Sequence, residues 1–444
     1  MQSGVETPSP VADKEVTQAP DLARYLARKQ AEIALIDACL ETPLALPSPR
    51  SVAEVVDRKF KVAAALRAER SLTSWAITET ARPDIPQWQS GAFRMRFGYQ
   101  RADLEVRGPA IYDALATRGH VTETLYTGSG MSAIAALVTA LAQVRGTLDV
   151  HAARNGYGET RELFERFAGR VRVVPLRKRR APSQPARAGG RVVLIDSMSD
   201  AIPHADDPMP RDADLVLFDT TCFWQGSGRI RGVVRWARRH DVPLALVRSH
   251  AKLDCLGIEY GRLGSIVLSF RRHAGAAWMR GLVREARDAV RLLGVAAIPA
   301  HLPPFAGSEA YRQASAARTA AIARNTRRLA RRLAATPLRD ALTMYRHGMY
   351  LTLAPRGELR VRDVKRAVTS LCESLADDDL TVRHAGSFGF DFAAVEWFPD
   401  PVTRRNVIRV APGDLPLSTM DRLADRIARW FALQAQPPAA LPRG

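Results

Sequence analysis
The sequence has few cysteines and no long apolar run. Its four cysteines lie far apart with no CxxC spacing, which disfavours a disulfide framework or a zinc site and favours a reducing compartment, the cytoplasm. No apolar run reaches the roughly 18 residues that a membrane span needs, so we expect no membrane partner. The polar residues 1–20 lack a basic start followed by an apolar stretch. We therefore expect no secretory signal and predict a disordered leader there.

Lysine is also scarce, although the chain is strongly basic. The 444 residues include 65 basic and 46 acidic ones, a formal net charge of +19 that can indicate a nucleic-acid partner. Only seven of the basic residues are lysines and 58 are arginines. This skew, together with abundant alanine, proline and glycine, is typical of a codon bias. We therefore expect no nucleic-acid partner.

Short apolar strands alternate with helices from residue 121 onwards, after helical periodicity over 21–70. This alternation predicts an α/β fold with a doubly wound, mostly parallel sheet. The predicted strands lie at 121–127, 170–176, 191–196, 214–219, 242–247 and 264–270. We expect five consecutive parts of the chain: the leader over 1–20, an N-terminal helical and mixed segment over 21–95, a large α/β domain over 96–275, long connecting helices over 276–335, and a smaller α+β domain over 336–444.

Lys252 follows the strand at 242–247, and ligands of doubly wound sheets bind beyond the carboxyl ends of the strands. A desolvated amine at such an end has a lowered pKa and can act as a nucleophile, although a lysine at a strand end is usually solvated. Lysine is rare in this chain, and Ser249, three residues earlier, could bind a phosphate. This combination favours a catalytic amine.

A glycine-rich turn, Gly128-Ser129-Gly130-Met131, joins the strand at 121–127 to an apolar helix. Backbone N–H groups at the start of that helix, together with the Ser129 hydroxyl, would form a phosphate cradle. An ordinary strand-to-helix turn explains the same residues equally well. The motif by itself leaves both interpretations open.

Three further residues have side chains suited to a planar cofactor and an acidic substrate group. Asp219 ends the strand at 214–219, where a buried carboxylate needs a cationic partner such as a protonated pyridine nitrogen, unless it caps the next segment. Tyr157 opens a helix and could stack on a planar ring while its hydroxyl handles protons, or it could cover the edge of the core. Arg409 is a lone charge in an apolar strand, which favours bidentate capture of a carboxylate.

In this order the motifs resemble those of the Cys/Met-metabolism family of fold-type I pyridoxal phosphate (PLP) enzymes, the cystathionine synthases and lyases and their relatives. The resemblance runs from about residue 95 to 433. It rests on eight segments: Tyr99-Gln100-Arg101, Thr127 to Ile134, Tyr157 to Thr160 with Leu163-Phe164, Asp196 to Asp200, Asp219 to Phe223, Ser249 to Lys252, Ser387 to Gly389, and Ile408 to Val410.

The resemblance implies that PLP is carried as a Schiff base on Lys252, which with Tyr157 would be catalytic. It implies that Tyr99 and Arg101 reach the cofactor of a neighbouring subunit, so that a homodimer or tetramer shares its active sites. Ser387 and Arg409 would bind the substrate. The residues implied to bind the cofactor are Tyr99, Arg101, Ser129, Gly130, Met131, Tyr157, Asp200, Asp219, Thr221, Ser249 and Lys252.

The sequence departs from the family pattern at several positions. Arg101 is not followed by the usual Asn-Pro-Thr, Ala251 replaces a threonine, and Asp200 replaces an asparagine. The residues Leu253 to Cys255 replace Gly-Gly-His. We expect the departures at Asp200, Ala251 and Leu253 to Cys255 to lie where ring, lysine and substrate meet, so that the cofactor machinery is kept and the substrate is a specialised one.

The expected function is that of a PLP-dependent lyase or transferase. It would eliminate or replace a group at the γ (or β) carbon of an activated amino acid, such as an O-activated homoserine or S-adenosylmethionine, in a specialised biosynthetic pathway. An aminotransferase, which shares the same lysine, aspartate, tyrosine and arginine, is the first alternative. A basic nucleic-acid-binding protein on a PLP-like scaffold is the second, and the absence of a helix-turn-helix pattern or of aromatic residues interleaved with basic ones counts against it.

Overall fold
The computed structural model describes residues 12–78, 87–97, 104–176, 189–199, 201–210, 212–272, 277–344, 348–355, 357–376, 380–400 and 402–434. Two long helices, α1 (Ala12–Asp37) and α2 (Val52–Thr78), open this part of the chain and pack against each other. We expected disorder over 1–20, but α1 already begins at Ala12. The segment 12–18 contains alanine, lysine, glutamate and glutamine, which favour a helix and allow α1 to extend towards the N-terminus.

A small antiparallel sheet follows the two helices. It consists of β1 (Gln87–Ser90), β2 (Phe93–Phe97) and β3 (Leu104–Arg107), in that order. Phe93 and Met95 are buried in one apolar cluster with Tyr126. The small sheet therefore packs against the first strand of the next one.

The largest described sheet has seven strands, and the polar motifs follow several of them. Its strand order is β4-β10-β9-β8-β7-β5-β6, and β10 runs antiparallel to both of its neighbours while the other pairs are parallel. The prediction of a doubly wound, mostly parallel sheet is confirmed. The elements in chain order are β4 (His120–Thr127), α3 (Gly130–Arg145), β5 (Leu148–Ala152), α4 (Gly158–Arg166), β6 (Val171–Pro175), β7 (Gly190–Asp196), β8 (Leu215–Asp219), α5 (Gly228–Arg239), β9 (Leu244–Ser249) and β10 (Gly264–Arg271).

Helices cover both faces of this sheet. Leu194 and Leu217 belong to the core cluster that contains residues of α3 and of α6 (Ala277–Leu292). Their chain neighbours Ile195 and Phe218 belong to the cluster that contains residues of α5. Because successive residues of a strand point to opposite faces, burial of both faces explains why these strands are apolar throughout.

The C-terminal part is a five-stranded sheet with helices packed against it. Its strand order is β11-β12-β15-β14-β13, and β13 pairs in parallel with β14 while the other pairs are antiparallel. No helix among the described residues is long and apolar enough to cross a membrane. The domain boundaries stay a prediction. The elements are α7 (Glu309–Ala334), β11 (Leu342–Met344), β12 (Leu351–Leu353), α8 (Val361–Ala376), β13 (Val382–His384), β14 (Ala393–Pro399), β15 (Asn406–Ala411) and α9 (Leu417–Gln434).

A buried ionic cluster joins the N-terminal helices to the C-terminal part. Lys59 of α2 donates to Asp391 at 2.8 Å, and Arg318 of α7 donates to Asp391 at 2.5 Å and to the Gly389 carbonyl at 2.8 Å. Burial lowers the pKa of Lys59 to about 8. These contacts fix the loop at 387–391, which reaches the candidate site. The cluster comprises four cations and three carboxylates: Arg28, Lys29, Lys59, Arg318, Glu32, Asp391 and Asp414.

Candidate active site
The carboxyl ends of the parallel strands place several sequence-predicted residues along one edge of the large sheet. Asp219, the last residue of β8, is the register partner of Asp196 at the end of β7. At the end of β9, Ser249 pairs with Gly264, which also pairs with Thr127 at the end of β4. The turns that carry the lysine and the glycine-rich motif begin at this same edge. Ligands of such sheets bind there.

Lys252 lies in the turn after β9 and is mostly buried. Its Nζ donates a hydrogen bond to the Oγ of Ser387 and lies 6.0 Å from the centre of the Phe388 ring. Burial lowers the pKa of this amine; the charge of Glu259 opposes the effect and that of Arg409 adds to it. The neutral, nucleophilic form of the amine is therefore easier to reach than in a solvent-exposed lysine.

The turn that carries Lys252 is held by a buried network. Arg248 donates to both carboxylate oxygens of Asp254, at 2.5 and 2.6 Å, and its Nη1 donates to the Thr220 carbonyl at 2.7 Å. His250 lies 2.7 Å from the Asp254 carboxylate and 2.9 Å from the Ser265 hydroxyl. Burial by itself would raise the pKa of Asp254, but Arg248 and His250 hold it well below its usual range. The network fixes the backbone on both sides of the lysine.

This network corrects one expectation about the departures from the family pattern. We expected Leu253 to Cys255 to lie where ring, lysine and substrate meet. Asp254 instead faces Arg248 and His250, and Cys255 packs in the apolar cluster formed with α1 and α2. Asp254 is the internal counter-charge of the turn, and the Cys255 thiol donates to the Lys252 carbonyl at 3.5 Å. Leu253 packs in the same cluster as Tyr157.

Two buried carboxylates lie side by side at the ends of β7 and β8. Asp219 accepts from the Thr221 N–H at 2.8 Å, and Asp196 accepts from the N–H groups of Tyr157 and Met198 at 2.6 and 2.7 Å. Burial, and then the charge of Asp219, raise the pKa of Asp196 to about 7, and burial raises the pKa of Asp219. Within the described part of the chain, neither carboxylate forms an ion pair. The pair therefore suits a cationic ligand.

Tyr157 is attached to this carboxylate pair through its backbone. It is the N-cap residue of α4, and its N–H donates to Asp196. Burial, and then the charge and hydrogen bond of Glu159, raise the pKa of the Tyr157 phenol. The hydroxyl thus stays protonated near neutral pH and can donate a hydrogen bond. The ring packs in an apolar cluster beside Met198, Cys222 and Phe388.

The start of α3 lies against the end of β9. Ser129 caps α3 by accepting from the Ser132 N–H at 3.0 Å, and the Ser249 N–H donates to the Thr221 hydroxyl at 3.0 Å. A Cβ at Gly130 would lie 2.9 Å from the Ser249 Cβ, so glycine is needed for this close approach. Met131 contributes its backbone here, since its side chain packs on the core of the large sheet. The helix start, Ser129, Ser249 and Thr221 can together donate hydrogen bonds to an anion.

Arg409 of β15 lies across the site from the sheet edge. Its Nη2 donates to the carboxylate of Glu396, its register partner on β14, and its guanidinium lies 5.0 Å from the Tyr350 ring and 4.7 Å from the Phe398 ring. Its Nε is buried and has no hydrogen-bond partner among the described atoms. A buried, unpaired donor of this kind is suited to bind a substrate carboxylate.

The structure brings most of the sequence-predicted residues to one place. Tyr99, Arg101 and Asp200 lie outside the described residues. Sequence reasoning missed Asp196 as a site residue, although it ends an apolar strand as Asp219 does. It also missed Glu396, a lone charge in the apolar stretch AAVEWF, because nothing local shows that this residue faces Arg409.

Comparisons with known proteins give a distant structural likeness. No protein-family profile and no curated protein sequence matches the chain. Among solved structures, cystathionine gamma synthase from Xanthomonas oryzae pv. oryzae is 15% identical with a TM-score of 0.48, over 82% of this chain and 98% of that chain. CalE6, a methionine gamma lyase from Micromonospora echinospora, is 16% identical with a TM-score of 0.46, over 72% of this chain and 83% of that chain. At these values the likeness assigns no activity to this chain.

Proposed function
We propose that this chain is a PLP-dependent enzyme that removes or replaces a group at the γ (or β) carbon of an α-amino acid. The observation that carries the proposal is the arrangement around Lys252. A buried amine with a lowered pKa lies near the same sheet edge as a buried carboxylate pair and a helix start. An aldehyde, a basic ring nitrogen and a phosphate on one ligand would match these three groups.

The residues present fit PLP. Lys252 would hold the aldehyde carbon, and Asp219 would pair with the protonated ring nitrogen, which would relieve the unfavourable burial of the two carboxylates. The N–H groups at the start of α3, with the hydroxyls of Ser129, Ser249 and Thr221, would bind the phosphate. When bound, the cofactor would supply an electron sink that stabilises negative charge on the substrate α carbon.

The side chains of this chain would then bind the substrate and move its protons. Arg409 would bind the substrate carboxylate, with Ser387 beside it, so that the bond to be broken is oriented. The Lys252 amine would take a proton from the α carbon and return it at a neighbouring carbon. The protonated phenol of Tyr157 would assist departure of the leaving group.

The substrate proposal is an amino acid whose γ carbon carries a leaving group, such as an O-activated homoserine or a sulfonium like that of S-adenosylmethionine. The presence of two proton-transfer groups, Lys252 and Tyr157, supports chemistry at both the α and β carbons. A cytoplasmic homodimer or tetramer with shared sites belongs to the same proposal. It rests on Tyr99 and Arg101, which by the family resemblance reach the neighbouring subunit.

Two measurements test the proposal. The purified protein should bind PLP, and borohydride reduction should fix the cofactor on the peptide that contains Lys252, whereas Lys252→Ala should show no such fixation and Lys365→Ala should behave as the wild type. Incubation with the true substrate in heavy water should place deuterium at both the α and β positions. Exchange at the α carbon alone, with amino transfer to a keto acid, would identify an aminotransferase. A protein that ignores PLP and forms a salt-sensitive complex with DNA would overturn the proposal.

A further inference from the structure
The arginine that would bind a substrate carboxylate already has a counter-ion within the protein. Glu396 and Arg409 face each other on neighbouring strands, and the Arg409 Nη2 donates to the Glu396 Oε1. The two side chains are only 20% and 10% exposed, so water screens the pair weakly. The charge of the guanidinium is therefore compensated before any ligand arrives.

The same carboxylate holds the loop that contacts the lysine. The Ser387 N–H donates to the Glu396 Oε1 at 3.1 Å, and Ser387 has a left-handed backbone with φ of +89°. A Cβ on Gly386 would lie 2.9 Å from the other oxygen of Glu396, so the loop and the carboxylate are in close contact. The Ser387 hydroxyl accepts from Lys252. Glu396 thus lies at the centre of the carboxylate-binding end of the site.

The positive charge of Arg409 is already partly balanced by Glu396 before a ligand binds. Its Nη2 is used by Glu396, its guanidinium lies near the rings of Tyr350 and Phe398, and its Nε is the buried donor without a described partner. A ligand carboxylate bound at Nε would be the second carboxylate against this guanidinium, after that of Glu396. A second ligand carboxylate nearby would add a third negative charge in a poorly screened place, which like-charge repulsion opposes.

We propose that Glu396 is a specificity-determining residue that restricts the site to amino acids with a single carboxylate and a neutral or cationic side chain. The proposal rests on the proposed role of Arg409 as the carboxylate-binding residue. Short dicarboxylic amino acids are rejected because the negative charge of Glu396 repels their second carboxylate. Removing only the charge of Glu396 should therefore admit them.

The test compares two acid and amide pairs of nearly equal shape, aspartate with asparagine and glutamate with glutamine. Apparent dissociation constants come from ligand-dependent thermal unfolding of the full chain, measured with and without PLP. We expect the wild type to bind each amide about tenfold or more tighter than the matching acid, because like charges in a partly buried site repel strongly. Glu396→Gln keeps an oxygen for Arg409 and Ser387, and it should reduce the preference to about twofold or less.

Two further variants separate a role in specificity from a structural role. Glu396→Asp keeps the negative charge and should keep the preference for the amides. Glu373→Gln makes the same change on the exposed face of α8 and should leave every constant unchanged. Circular dichroism checks that each variant is folded.

Three outcomes would overturn the proposal. One is a wild type that binds acids and amides equally. Another is a folded Glu396→Gln chain that keeps the wild-type preference or loses all binding, since Glu396 would then only position Arg409. The third is a wild type that binds none of the four ligands, with or without PLP, which would also remove Arg409 as a carboxylate site. Failure of the proposed enzymatic function is distinct, because the preference is measurable without PLP and without turnover.

Discussion
The carboxylate pair at the ends of β7 and β8 should make the stability of the cofactor-free chain depend on pH in an unusual direction. Asp196 has a pKa of about 7 in the folded chain, against an ordinary value of 3.8. A folded-state pKa that is raised means that the folded chain holds this proton more tightly than the unfolded chain does. The stabilisation is therefore complete below about pH 4 and is lost as the pH rises to about 7.

The magnitude follows from the size of the pKa difference. About three pKa units correspond to roughly 4 kcal/mol between pH 4 and pH 7, of which about 2–3 kcal/mol falls between pH 5 and pH 7. Burial is the main cause and the charge of Asp219 the second. Asp219→Asn should therefore lower the pKa of Asp196 and reduce the pH dependence without removing it. Saturating PLP should also reduce it, because a protonated ring nitrogen would favour the charged carboxylates.

The assay is urea unfolding of the cofactor-free chain at pH 5, 6, 7 and 8, for the wild type and for Asp196→Asn. The asparagine cannot ionise. Its NH2 group replaces one of the two oxygens that accept from the backbone N–H groups of Tyr157 and Met198, so two donors then face each other. The substitution should therefore cost roughly 1–3 kcal/mol of stability at every pH. The free energy of unfolding of the wild type, relative to the variant, should fall by about 2–3 kcal/mol from pH 5 to pH 7. Asp288→Asn on the surface of α6 should follow the wild type. A difference between the wild type and Asp196→Asn that stays constant across this range would refute the reasoning.

Three other predictions concern catalysis, subunit assembly and stability. Asp219→Asn should lower kcat of the PLP-loaded enzyme by about 10²–10³, as losing one electrostatic stabiliser in an active site does, and steady-state kinetics that match the wild type would contradict the assignment. Mixing an Arg101→Ala chain with a Lys252→Ala chain should restore activity, because a hybrid dimer then has one intact site; full activity in a verified monomer would contradict shared sites. Asp391→Asn should cost about 3–5 kcal/mol in urea unfolding, because it leaves three buried cations and the half-buried Arg28 with two carboxylates. Lys59→Met leaves three cations with three carboxylates and should therefore cost less stability than Asp391→Asn. Equal losses of unfolding free energy in the two variants would contradict this explanation.

Much of the fold could be predicted because each strand of the large sheet carries a local signature. The strands ending at Asp196 and Asp219 are continuous apolar runs, and burial of both faces of a parallel sheet produces that pattern. The helix that begins at Gly130 and the helix that follows Tyr157 were also visible from their turns. We expected helix α1 to begin near Asp21, later than its observed start at Ala12, because the charged and polar residues before Asp21 look like a leader. The domain boundaries and the roles of the site residues stay predictions.

By itself the sequence determined which residues meet at the edge of the large sheet. Parallel strands end at the same edge, so the strand assignments predict that Ser129, Asp219 and Ser249 lie at the edge that carries the turn of Lys252. Only the tertiary structure decided what surrounds them. The contact of Lys252 with Ser387 spans 135 positions, and the pairing of Glu396 with Arg409 depends on the register of two antiparallel strands. The physical reason is that hydrophobic periodicity reports which face of an element is buried, whereas the partner of a buried charge is set by long-range packing.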